Sequence, residues 1–291
     1  MNGNKPTAGK YISFFMILFL AADFSIWWSI FRYDSGGSVK AFFLDVGQGD
    51  AELVIFPDKV KVLTDAGPDS RIIGELEKIA ELGDKYIDIA VISHPQLDHF
   101  NGFRYVLDHY KVGAFIYNGR SGDPNVEEWQ ELISEIKDKN IPLVALKAGD
   151  SIRNSGNKID FLSPNELLLQ SAELNDTGLV EFINSLGFKI LLTADIGAET
   201  EKYLAKNFDL NADILKVAHH GSRFSSSEEF LAAVNPKVAV IEVAKRNNYG
   251  HPAQGTIQKL KSASAAVFRT DESGQIAAYF DGNKIKVFIG K

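Results

Sequence analysis

Five of the six histidines in this chain follow apolar, strand-like runs: His94 and His99 in SHPQLDHFNG, His219 and His220 in AHHGS, and His251 in NYGHP. Loops at strand ends are where a rigid scaffold can bring polar side chains together, so this placement marks a site rather than a scatter of packing histidines. Within the first stretch, Asp98 beside His99, with His94 a few residues earlier, offers the oxygen and nitrogen donors that Zn²⁺, Mn²⁺ or Fe²⁺ accepts. Pro95 keeps a helix from starting before it, which leaves His94 in the loop and puts Asp98 and His99 on the first turn. On its own that spacing also fits a capping aspartate with two surface histidines. Asp195 closes the apolar run LLTAD and Asp65 closes LTDAG, positions that turn-forming aspartates also favour. Adjacent His219 and His220 point to opposite sides of an extended chain, so one at most ligates while the other meets substrate or a supporting carboxylate. Gly221 allows a sharp turn after them, and Ser222 is placed to donate to a phosphate. His109, inside the helical stretch FRYVLDHY, reads as an ordinary surface histidine.

Composition narrows the chemistry. With no cysteine, the chain has no disulfide, thiolate metal site or cysteine nucleophile, so a metal must be held by nitrogen and oxygen. A net charge of −7 argues against nucleic-acid binding through overall charge. Arg223, Lys245 and Arg246, close to the late histidines, are left as local phosphate contacts. Hydrophobic content of 45% against 24% charged residues belongs to a folded protein and excludes a disordered, collagen-like or multi-span membrane chain.

The elements that must position these residues begin after an apolar N-terminus. Residues 11–31 (YISFFMILFLAADFSIWWSIF) are long enough to cross a bilayer despite Asp23, giving a single membrane anchor over 1–33. A signal peptide ending near Ala22 fits less well, because its cleavage site lacks a small residue at minus three. Lys5 and Lys10 place the N-terminus inside and the rest of the chain outside the membrane. DSGGS, 34–38, is a short linker, and 39–291 forms one domain. Strand-like runs at 39–45, 51–56 and 59–65 form an antiparallel meander, followed by a helix, a buried strand at 87–93 and a helix near Val126–Ile136 capped by Asp123 or Asn125. Strands over 142–146, 158–162, 179–183, 188–194, 212–218 and 238–243 alternate with helices over 199–207, to Val234 with a Ser226/Glu229 capping box, and over 254–261. Three strands close the chain. This order suits two helix-covered sheets better than one doubly wound sheet.

In chain order, FLDVGQGDAELV, LTDAG, SHPQLDHFNG, LLTADI, LKVAHHGSRFSSSEEFL and NYGHP resemble the metallo-β-lactamase fold. They are more narrowly similar to the extracytoplasmic hydrolase-like domain of the ComEC DNA-uptake proteins and its stand-alone relatives. The resemblance runs from Phe43 to about Phe280 and rests on LDVGQGD, HHGS and YGHP. It implies an α/β fold, a four-layer αββα sandwich of two mixed sheets, which here follows the N-terminal transmembrane helix read from residues 11–31. It also implies that His94, Asp98 and His99 take three of the four ligand positions of an HxHxDH motif, with Gln96 at the remaining one. Asp195 takes the place of the carboxylate that bridges two metals, and Asp65 that of the aspartate bracing the histidine loop. Which of His219, His220 and His251 completes the second metal stays open. The implied metal ligands are therefore His94, Asp98, His99, Asp195, His220 and His251.

Catalytic roles fall to Asp65, Asp98, His219 and His220, one of the paired histidines protonating the leaving oxygen. Substrate contacts fall to Gln96, Asn175, Asp176, Ser222 and Arg223. The usual middle histidine is replaced by NDTGLV, with Gly178 where serine is usual, so a first metal among His94, Gln96 and Asn175 or Asp176 is held more weakly than a second. The implied cofactor is a divalent metal, zinc or manganese, with room for two ions. The implied function is a metal-dependent hydrolase, an extracytoplasmic phosphodiesterase or nuclease acting on a phosphate ester such as DNA beside a separate DNA-uptake channel protein. The alternative is a non-catalytic module that keeps the fold and binds DNA or a partner around a degenerate metal site. β-Lactam hydrolysis does not follow, because fold likeness does not fix substrate.

Overall fold

Period-two alternation along the first strand sorts its side chains into two different cores. In β1 (Val39–Phe43), Val39, Ala41 and Phe43 face one core while Phe42, with Leu44 just beyond, faces another. A computed structural model of the protein describes residues 37–290 except 124, together with Met16 and Phe19. Contacts separate 1–37 from 38–291. The expected anchor over 1–33 lies outside the described residues, Met16 and Phe19 apart, and both of these are helical. Among the described residues no helix is long and apolar enough to cross a membrane.

β2 (Glu52–Ile55) and β3 (Lys61–Thr64) continue from β1 as an antiparallel meander. The sheet then turns parallel through β4 (Tyr86–Ile92), β5 (Lys111–Tyr117) and β6 (Leu143–Ala145). A second sheet starts antiparallel with β7 (Ser151–Asn154), β8 (Asn157–Ser163), β9 (Val180–Ser185) and β10 (Phe188–Leu192). It turns parallel through β11 (Ile214–Lys216), β12 (Val238–Ile241) and β13 (Ala266–Arg269). β14 (Ile276–Phe280) and β15 (Ile285–Ile289) return to the free side of β1, giving sheets of eight and seven strands.

One core lies between the sheets, where Phe43, Val54, Val62 and Val91 meet Phe161, Ile183, Phe188 and Ile190. A second lies beneath the helices of the first sheet, α1 (Arg71–Leu76), α2 (Leu97–Phe100), α3 (Gly102–His109) and α4 (Glu127–Asp138). Trp129, Leu132 and Ile136 of α4 fall on one face at helical spacing and supply its buried stripe. The third lies beneath α5 (Ala198–Asn207), α6 (Glu228–Val234) and α7 (Gln254–Ser262), which cover the second sheet. Helices, sheet, sheet and helices thus stack in sequence, and a short α8 (Thr270–Ser273) joins β13 to β14.

Several local expectations are corrected. The strands β5 and β7 are not marked by pattern: Gly113 interrupts the first, whose apolar run reads equally as helix, and the second is the polar edge SIRN. Ser227, not Ser226, caps α6, its hydroxyl accepting from Phe230 N–H, because Ser226 sits at a φ of 57° in the turn before it. Neither Asp123 nor Asn125 caps α4; Val126 holds that position, and Asp123 accepts from the Asn125 N–H in the preceding turn.

Phe188 is 1% exposed and its ring stacks on Phe280 of the opposite sheet, 4.8 Å between centroids at 9°. Phe188→Ala is expected to cost about 3–5 kcal/mol in urea denaturation. A loss below about 1 kcal/mol would show that the inter-sheet core closes without that ring.

Candidate metal centre

The site forms where both sheets present the carboxyl ends of their parallel strands, the place where α/β sheets gather ligand-binding loops. Asp65 follows β3, His94 follows β4, Asp195 follows β10, and His219 and His220 follow β11. Glycine makes the approach possible at two points. A Cβ on Gly49, whose φ is 145°, would lie 2.2 Å from the Asp98 carbonyl, and one on Gly102 would lie 1.9 Å from the Ala66 carbonyl.

Three buried imidazoles each have Nδ1 committed. His99 Nδ1 stands 2.8 Å from Asp65 Oδ2, and His220 Nδ1 stands 3.0 Å from the Glu242 carbonyl. A carboxylate and a carbonyl only accept, so each ring carries its hydrogen on Nδ1. The third case runs through a relay: Ser93 Oγ donates to Asp65 Oδ2 at 2.6 Å and accepts from His94 Nδ1 at 2.9 Å. All three Nε2 atoms are buried and without a hydrogen-bond partner, as is Asp195 Oδ1. Buried polar atoms are rarely left so.

The unpartnered Nε2 atoms of His99 and His220 face the other oxygen of Asp195, while its Oδ1 points to Lys216 Nζ at 3.9 Å. Asp195 Oδ2 lies 3.5 Å from His99 Nε2 and 3.4 Å from His220 Nε2, and Asp98 Oδ2 lies 3.5 Å from His220 Nε2. Asp98, His99, Asp195 and His220 offer four donor atoms within 4.8 Å of one another. Ligands about 2.1 Å from a tetrahedral centre stand about 3.4 Å apart, so the four residues fit a divalent cation. His94 and His251 lie outside this group: the His94 ring is 4.1 Å from that of His99 between centroids, and the His251 ring 6.5 Å from that of His220.

Charge follows the same geometry. Burial opposes protonation of His99 and His220, but Asp195 and its neighbouring carboxylates outweigh it, raising His99 well above its usual range and His220 to about 9. Against burial, the two imidazoles hold Asp195 well below the carboxylate range, and His99 leads in bringing Asp98 to about 2. Burial and the His99 charge lower His94 to about 4, while burial, His219 and His220 lower His251 to about 4.

The expected opposition of His219 and His220 is not produced by an extended backbone. Both lie in a left-handed turn, at φ values of 51° and 52°. His220 goes inward, while His219 stays 31% exposed with Nε2 3.8 Å from Asp195 Oδ2. A cavity of about 630 Å³ opens above the cluster, and Asp98, Asp195, His219, His220 and His251 line it. Gln96 and Asn175 share its wall, the Gln96 amide donating to Asn175 Oδ1 at 2.5 Å. Three expected substrate contacts are not among the residues that line it. Ser222 is buried with its hydroxyl oxygen taken by the Phe224 N–H, Asp176 accepts from Ser171 Oγ, and Arg223 sits over the Phe224 ring. Asp65 is sealed behind His99 and braces the histidines rather than facing the cavity.

A further layer escaped the sequence reading. Lys216 is fully buried, bonded to Asp50, and donates to the Ala194 carbonyl at 3.1 Å. Asp50 Oδ1 in turn lies 3.2 Å from His220 Nδ1. Burial lowers Lys216 to about 7 and raises Glu242 to about 7; it also raises Glu52 well above its range, with the Glu242 charge adding to the effect. The signal available was the lysine at the end of the apolar run ADILK and the aspartate closing GQGD.

The family described as Metallo-beta-lactamase superfamily matches residues 44–242. ComE operon protein 3 of Bacillus subtilis (strain 168) is 31% identical over 266 residues, 84% of this chain and 33% of that protein. Recombination protein 2 of Haemophilus influenzae is 30% identical over 84% of this chain and 29% of its own length. Competence protein ComA of Neisseria gonorrhoeae is 27% identical over 80% of this chain and 31% of its own. The chain thus spans about a third of the length of these relatives. Among solved structures, the diiron β-hydroxylase CmlA from Streptomyces venezuelae matches with a TM-score of 0.55 at 11% identity, over 84% of this chain and 54% of that one. The metallo-beta-lactamase fold protein YhfI from Bacillus subtilis matches with a TM-score of 0.52 at 13% identity, over 79% of this chain and 96% of that one. At such identities these two show the fold.

Two predictions follow from the buried charges. Lys216→Met takes from buried Asp50 its lysine partner and leaves it only the neighbouring imidazoles; it is expected to cost about 3–5 kcal/mol in chemical denaturation, part of which Asp50→Asn in the same chain restores. Equal losses in the single and double variants would dissolve the pairing. Burial pushes Glu181 up to about 8; the Thr64 hydroxyl at 2.8 Å partly offsets this and the Asp65 charge adds to it. An acid raised on folding loses stability as pH climbs from its ordinary 4.5 to about 8. Glu181→Gln should therefore show no gain in melting temperature below about pH 4.5 and a full gain above about pH 8; a gain independent of pH would contradict this.

Proposed function

From the premise that this chain belongs to the metallo-beta-lactamase superfamily, we propose that it is a metal-dependent phosphodiesterase acting on DNA or a related phosphate ester. One observation carries the reading: the buried, unpartnered Nε2 atoms of His99 and His220 converge with the carboxylates of Asp195 and Asp98 beneath an open cavity. A divalent cation held by Asp98, His99, Asp195 and His220, zinc or manganese by their chemistry, supplies Lewis acidity and a water that ionises near neutral pH.

The side chains supply the rest. Asp65 and the Glu242 carbonyl fix His99 and His220 with Nε2 toward Asp195, so the donor set is already assembled. Gln96 and Asn175 present amide groups on the wall, and Arg246 lies on the rim, all suited to phosphate oxygens. His219 Nε2, beside Asp195, is the proton-handling atom that faces both cluster and cavity. His94, with its own Nε2 orphaned, is available to a second ion. In this reading the apolar segment 11–31 serves as an anchor that holds the domain outside the membrane, beside a separate DNA-uptake channel; its length and hydrophobicity are what support the anchor.

A second reading is a module that binds DNA or a partner without cleaving it. What favours it is the Gln96–Asn175 bond, which occupies the wall where another ligand could stand. Metal binding and cleavage decide between them. Protein loaded with Mn²⁺ or Zn²⁺ should cut a phosphodiester in a chelator-sensitive way. Asp195→Ala should lose its bound metal in calorimetry and at least about 100-fold in cleavage rate, with an unchanged circular dichroism spectrum. Undiminished cleavage in that variant would remove Asp195 from the reaction, and a wild type that neither binds metal nor cuts would leave the module.

A further inference from the structure

The loop after β12 carries a tyrosine on the rim of the cavity that nothing in the proposed hydrolysis uses. Tyr249 is 66% exposed, although its ring lines the same cavity as the metal cluster. One face is covered: it stacks on His251, 5.8 Å between centroids and 16° from parallel. The backbone of the loop that carries the ring is also held in place. Asn247 Oδ1 accepts from the N–H groups of Tyr249 at 3.2 Å and His251 at 3.0 Å, while its amide donates to the carbonyls of Ala244 at 3.2 Å and His251 at 2.7 Å. A slack loop would have to be ordered on binding, but here four hydrogen bonds already order its backbone. On the same loop Arg246 lines the cavity, and neither it nor Lys245 makes an ion pair among the described residues.

A fixed aromatic face beside an unpaired guanidinium matches a planar base attached to a phosphate: the ring stacks, the cation meets the backbone. A duplex hides its base faces within its own stack, whereas a single strand exposes them. We infer that the Tyr249–His251 pair is a stacking platform for a nucleobase of single-stranded nucleic acid, with Arg246 on the adjoining phosphate. This rests on the phosphodiesterase reading for the nature of the substrate, and it adds the subsite that selects unpaired strands.

The test compares a short, fluorescently labelled oligothymidylate with an abasic strand of the same length, both phosphorothioate-linked to resist cleavage, by anisotropy in Mn²⁺. Wild type should prefer the base-bearing strand by about 5- to 100-fold. That preference should collapse toward unity in Tyr249→Ala and persist in Tyr249→Trp. Because the side chain is largely solvent-exposed, neither substitution threatens folding. Equal binding of the two strands by wild type, binding of neither, or a preference that survives Tyr249→Ala overturns the platform. A wild type that prefers bases yet never cuts an ordinary phosphodiester strand leaves the platform standing and removes the hydrolytic reading instead.

Discussion

A carboxylate taken out of water must be met by donors, and the whole site is organised around one that is. Asp65 is 1% exposed and receives the Ser93 N–H at 2.8 Å, the Ser93 hydroxyl at 2.6 Å and His99 Nδ1 at 2.8 Å. Its own N–H bonds the Val91 carbonyl at 2.8 Å, which locks the end of β3 to the parallel strand β4. Through these few bonds one buried charge sets the tautomer of His99 directly and that of His94 through the serine. The direction in which both rings present Nε2 is thus a consequence of desolvation, not of the histidine loop by itself.

The second sheet solves the same problem with a lysine. Asp50, equally buried, closes the glycine-rich turn of the first sheet, and Lys216 reaches it from β11 of the second. A buried pair of this kind adds little stability against an apolar replacement, but it fixes the register of what it joins. Here it joins the two halves of the site, because Lys216 also holds the Ala194 carbonyl next to Asp195 while Asp50 touches His220. Asp98 and His99 come from one sheet, Asp195 and His220 from the other, so a shift between the sheets would open the donor set.

The cavity then divides into a floor and a rim with different physics. The floor is largely buried, charged and preorganised, and its donor set suits a cation. The rim is more exposed, with Gln96, Asn175, His219 and the Asn247-braced loop that carries Arg246. Substitutions on the rim change what is bound, whereas those on the floor change whether the site exists.

The sequence by itself determined the layered α/β class, the helices with clear apolar stripes, the absence of thiolate chemistry and the strand-end segments that carry the site, because alternation, helical spacing and residue type are local properties. It could not determine which histidines meet. His220 enters the cluster while His94 and His251 flank it, since a left-handed turn at His219 and His220 overrides the alternation of an extended chain. Nor could it reveal that Ser222 faces inward, or that Lys216, deep in an apolar strand, has a carboxylate waiting on the opposite sheet. Such outcomes depend on desolvation and on tertiary contacts, some between residues far apart in the chain, 166 positions in the case of Lys216 and Asp50, and the packed sheets decide them.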